Sequence, residues 1–159
     1  MALTESKKAP TDDIIDINIE GIKRTRFRIN GDSNAIIELN LSDLGILDRL
    51  KVGLEKLQKE MTGISEIPDD EDNISEIMKQ ADQRMREYVD YIFDYPVSAV
   101  CAKNGTMYDP KNGKFRYESI LDSLTSLYAD NINSEYHKME ARMKKYTDKY
   151  TTPKKGKKK

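Results

Sequence analysis

The chain has 159 residues, enough for one domain with a real core and too few for two. Charged residues make up 35% against 37% hydrophobic, with a mean hydropathy of −0.76, a balance that favours long helices with charged outer faces over a thick core. The net charge of −1 hides ten Lys or Arg against two acids from Lys138 to Lys159 (+8), leaving 17 against 26 before them (−9). A single cysteine excludes an internal disulfide, and no apolar run reaches the length of a membrane span.

The opening "MALTESKKAPTD" lacks periodicity and is predicted to be a flexible leader over residues 1–12. Ile15, Ile17 and Ile19 then alternate with Asp16, Asn18 and Glu20, the period of a strand with one buried face. Phe27 and Ile29 alternate with Arg26 and Arg28 in a second strand, "NGDSN" supplies a turn, and "AIIELNL" a third strand. These make a small antiparallel sheet.

From Ser42 the period lengthens. Leu44, Leu47, Leu50, Leu54, Leu57 and Met61 draw one stripe along a helix, with Asn40 or Ser42 as its cap. Gly45 and Gly53 weaken that helix by about 1 kcal/mol each relative to alanine, so its packing has to compensate. "TGISEIPDDEDN" reads as an acidic loop. A second helix from Ile74 to about Tyr95 sets Ile77, Met78, Ala81, Met85, Tyr88, Val89, Ile92 and Phe93 on one side. Pro96 breaks it, and Asp94 is placed to cap a short helical turn "VSAVCA".

The last helix starts near Phe115 and would run about 50 Å if continuous. Its stripe changes after Ile132 from Leu and Ile to Tyr and Met, residues that suit adaptable contact surfaces. "ADNINSE" at 129–135 forms helix poorly and is predicted to be a kink or hinge. The expected organisation is therefore a leader (1–12), a single α+β domain (13–150) and a basic disordered tail (151–159). Its fold class is a small N-terminal antiparallel β-sheet followed by a mainly α-helical region with a long C-terminal helix.

"YDPKNGKFRY" fails as a calcium loop. With Gly113 at the sixth position of an EF-hand, ligand positions 1, 3 and 12 fall on Tyr108, Pro110 and Ser119. A hairpin through Asn112 and Gly113 explains it better. Cys101, between Val100 and Ala102, reads as a small buried hydrophobe, since nothing aims the sole histidine, His137, at it. No glycine-rich loop ends in Lys-Ser or Lys-Thr, and the acids of "PDDEDN" have no apolar surroundings to tune them. No catalytic, cofactor or metal residue is assigned. Lysines interleave with tyrosines in "KKYTDKYTTPKKGKKK", which admits a nucleic-acid-binding alternative, but the acidic body opposes it.

The order of sheet, helix, "EYVDYIFDYPVSAVC", Asn/Gly-rich turn, "YESILDSLTSLY" and charged helical tail resembles the tail assembly chaperones of long-tailed phages and prophages of Gram-positive bacteria. The shared features are Tyr91, Ile92 and Phe93 ending one helix and Tyr117 to Leu121 opening the next, over roughly residues 14–150. Pro96 departs from the glycines that family places after the Phe. The resemblance implies a non-enzymatic helper that acts in the host cytoplasm, binds the tape-measure protein, recruits major tail protein and is absent from the mature virion. A homo-oligomer is compatible, and no membrane is involved. "KKGKKK" suggests slippery codons and a frameshifted longer product. Partner contacts are expected at Tyr128, Tyr136, Met139, Met143, Tyr146 and Tyr150. The rival expectations are a virion structural protein, such as a head-tail connector or tail component, and the nucleic-acid-binding protein.

Overall fold

The structure is a computed structural model describing residues 13–70 and 72–157, except the side chains of Tyr146 and of residues 149–157. The expected leader, the contacts expected of Tyr146 and Tyr150, and the side chains of the expected tail lie outside the described residues. The elements are β1 (Thr25–Arg28), β2 (Ile36–Leu39), α1 (Ile46–Ser65), α2 (Ile74–Phe93), α3 (Val97–Cys101), β3 (Pro110–Lys111), β4 (Lys114–Phe115) and α4 (Arg116–Lys157). This is the expected α+β arrangement, a small antiparallel sheet followed by helices, the last of them long.

β1 and β2 pair from Thr25↔Leu39 to Arg28↔Ile36, and their turn bends at Asn30 (φ 53°) and Gly31 (φ 73°), two residue types that tolerate left-handed backbone. Among the described residues the sheet has two strands where three were predicted. Residues 14–19 adopt no regular structure, and Ile14, Ile15, Ile17 and Ile19 stand exposed. Alternation specifies a face but supplies no partner strand. β2 contributes Ile37 and Leu39 to the core.

α1 begins at Ile46, four residues after the predicted start, so Leu44 and Leu47 are exposed while Ile46 and Leu57 are buried. Asn40 and Ser42 do not cap it. Asn40 instead accepts from the Ser42 N–H (3.0 Å) and donates to the Gly21 carbonyl (2.9 Å). Asp43 organises the helix start, accepting from the Gly45 N–H (2.9 Å) and from Arg49 Nη2 (2.9 Å). Burial works against the Asp43 charge, yet these hydrogen bonds hold its pKa below the usual value. Arg49 Nε donates to the Ile92 carbonyl (2.9 Å), joining the start of α1 to a carbonyl-rich helix end, where a cation is favoured.

α1 and α2 form an antiparallel hairpin. Gly53 sits against Ile92 and the Tyr88 carbonyl, and Arg84 forks onto Glu60 through Nε and Nη2 (2.8 and 2.9 Å). α2 ends at Asp94, whose backbone is left-handed (φ 51°) at a position where glycine is usual. Asp94 therefore closes α2 rather than capping α3 as predicted. The α3 start is held by Asp90, which accepts from the Ser98 N–H (2.8 Å) and hydroxyl (2.9 Å).

The core gathers Met85, Val89, Ile92 and Phe93 from α2 with Val97, Met107 and the first third of α4. Asn112 (φ 54°) and Gly113 (φ 80°) turn the expected β3–β4 hairpin. α4 is continuous through 129–135, where a kink was predicted, and no helix end marks residue 150. Among the described residues no helix is long and apolar enough to cross a membrane.

Candidate protein-binding surface

Two features aim α4. The first is a polar ridge on α2 with residues Asp82, Arg86 and Asp90 at steps of four. Asp82 Oδ2 pairs with Arg86 Nε (2.8 Å), and Asp82 Oδ1 accepts from the Met107 N–H (2.7 Å). Arg86 Nη2 donates to the Gly105 carbonyl (2.8 Å), and the Tyr108 hydroxyl to the Met78 carbonyl (3.2 Å). The loop after α3 is thereby folded back onto α2, with Met107 fully buried. The second feature is the helix start, where Glu118 reaches back to accept from the Phe115 N–H (2.9 Å), one half of a capping box.

From this start Tyr117, Ile120, Leu121, Leu124 and Tyr128 enter the core. Ile132 is partly buried against it, and Asn131 Nδ2 donates to the Leu41 carbonyl (3.1 Å). Beyond that contact every residue from 133 to 145 is exposed, about 20 Å of helix at 1.5 Å per residue. Tyr136, Met139 and Met143 are 58%, 64% and 59% exposed and recur at steps of three and four, so they share one face. Charged residues surround them, with Lys138 paired to Glu135 (3.0 Å) and His137 to Glu140 (3.4 Å).

Of the six residues expected to bind a partner, the structure places Tyr136, Met139 and Met143 together on this free face. Tyr128 is corrected. It is 3% exposed and packs on Phe93 with ring centroids 6.1 Å apart, because the body covers α4 as far as Asn131 and Ile132, the point at which the residue type changes. The Asp82–Arg86–Asp90 ridge went unread in the sequence, although its i, i+4, i+8 spacing beside an apolar stripe was visible there.

A concavity of about 360 Å³ lies between the β1–β2 turn, the β3–β4 hairpin and α4. Arg28, Lys111, Lys114, Arg116 and Cys101 line it, but Lys114 is paired to Asp122 and Arg116 to Asp109. Cys101 is half-buried. Burial, with the charge of Asp90 second, pushes its thiol up to about 11. Its alkylation by iodoacetamide near pH ~8 should thus run roughly 100-fold slower in the folded chain than in urea, because only thiolate reacts. Equal rates would contradict this environment. Among the described residues no three His, Cys, Asp or Glu side chains cluster as metal ligands would.

Comparison of the chain with protein-family models, curated proteins and solved structures finds no match.

Proposed function

We propose that this chain is a tail assembly chaperone, a non-enzymatic protein that binds the tape-measure protein in the host cytoplasm. In this role it keeps that client soluble, recruits major tail protein to it and leaves before the particle matures. The observation that carries the reading is the Tyr136, Met139 and Met143 face, displayed on a helix that has already left its own core. An apolar strip on a charged helix can lie along apolar helical segments of a client, and methionine adapts to several such segments.

The test is co-expression with a tape-measure polypeptide of a long-tailed phage or prophage of Gram-positive bacteria. The wild-type chain should co-purify with it. Replacing Tyr136, Met139 and Met143 together by serine should lower recovery at least tenfold, and because these side chains touch solvent the melting temperature should not change. Recovery equal to wild type would reject the surface. Stoichiometric copies of the chain in purified particles would reject the chaperone role in favour of a structural one.

A further inference from the structure

The segment before β1 is an unpartnered strand by composition. In an extended strand Ile15, Ile17 and Ile19 would lie on one side and Asp16, Asn18 and Glu20 on the other, and residues 14–19 make no hydrogen bond among the described residues. Five isoleucines from Ile14 to Ile22 are 62–85% exposed, more apolar surface than a short polar leader ordinarily carries. Nearby, among the described residues β1 pairs with β2 alone, so its second edge offers backbone groups that no described strand pairs.

That edge complements the segment on both faces. Phe27 and Ile29 are partly buried against the core, while Arg26 and Arg28 are exposed. A strand laid beside β1 in the register that puts Ile17 with Phe27 also puts Asp16 and Glu20 on the arginine face. Arg26 already meets Glu38 across the sheet at 3.8 Å, and Arg28 has no ion pair among the described residues.

The chain's own segment is led away from this edge. The Gly21 carbonyl is bound by Asn40, and Arg24 donates to the Glu38 carbonyl (3.2 Å) and pairs with Asp94 (3.5 Å), so residues 21–24 follow the β2 side of the hairpin. We propose that residues 14–20 of one copy form the third strand on the β1 edge of a second copy, and that the exchange is reciprocal. Each chain then gives one strand and receives one, a closed two-fold arrangement.

The test is light scattering across a wide concentration range on the full-length chain and charge-reversed variants. The wild type should reach twice the chain mass. Asp16→Arg with Glu20→Arg, and separately Arg26→Glu with Arg28→Glu, should each remain at the monomer mass with unchanged circular dichroism. An equimolar mixture of the two variants should recover the dimer, since each leader then meets the opposite charge on the other chain. A wild type that stays monomeric would overturn the proposal, as would a mixture of folded variants that fails to associate. The triple serine variant of α4 should dimerise normally. A monomer there would assign association to the Tyr136, Met139 and Met143 face and overturn the strand exchange, and client recovery, measured separately, would still decide the chaperone reading.

Discussion

Gly53→Val should destabilise the fold by about 2–3 kcal/mol, the range for forcing added methyl groups into a packed core. On an isolated helix the simpler change to alanine would be stabilising, by about 1 kcal/mol. Here a Cβ at residue 53 would stand 2.6 Å from Ile92 Cδ1 and nearer still to Ile92 Cγ1, with the Tyr88 carbonyl 3.5 Å away. Ile92 is fully buried, so the clash has to be relieved by moving α1 away from α2. That movement also pulls on Arg49, whose Nε bonds the Ile92 carbonyl. Urea denaturation measures the effect, and a double-mutant cycle locates it. In an Ile92→Ala background the valine should fit the space vacated, shrinking its penalty by at least about 1 kcal/mol. A penalty unchanged in that background would mean that the glycine serves backbone conformation rather than close approach.

Gly53 also illustrates what the sequence could and could not convey. That a glycine in a helix interior needs compensating packing follows from propensity. That Ile92, 39 positions on, supplies the packing does not. Several local signals were read well. Asn30–Gly31 and Asn112–Gly113 both turn through positive φ, and the apolar stripe of α2 is buried over Ala81, Met85, Val89, Ile92 and Phe93. Some misreadings concern partners distant in sequence, whereas the caps expected at Asn40, Ser42 and Asp94 and the kink expected over 129–135 were local readings that failed. Ile15, Ile17 and Ile19 have a strand's period with no strand beside them among the described residues, and Leu44 lies ahead of a helix that begins only at Ile46, while Leu47 in its first turn faces solvent. Tyr128 and Tyr136 sit on the same helix in similar company, yet one packs on Phe93 and the other faces solvent. Only the distance over which α4 is docked, fixed near Asn131 by its bond to the Leu41 carbonyl, separates them.

Asp82→Ala should be nearly as damaging as the valine, at about 2–3 kcal/mol, somewhat below the figure for breaking a fully buried ion pair. The discount reflects the residual exposure of the Asp82 and Arg86 side chains, 17% and 19%. Two losses combine. Arg86 is left without its carboxylate in a half-buried site, and the Met107 N–H loses its acceptor. Asp82→Asn separates them, because an amide oxygen can still accept from Met107 while the charge is gone. It should cost about 1 kcal/mol. The alanine variant should also lose hydrogen-exchange protection at the Met107 amide well before the amides of α1, since that loop is tied to α2 chiefly through Asp82, Arg86 and Tyr108. Because the Tyr117 N–H bonds the Met107 carbonyl (2.9 Å), the loosened loop carries the first turn of α4 with it. The direction in which the helix leaves the body then becomes ill-defined. Binding through Tyr136, Met139 and Met143 should therefore survive the alanine substitution if the exposed face acts alone, and weaken if the face must be held at a fixed angle to the body. Asparagine and alanine variants of equal stability would assign the ridge to charge balance and remove it from the positioning of α4.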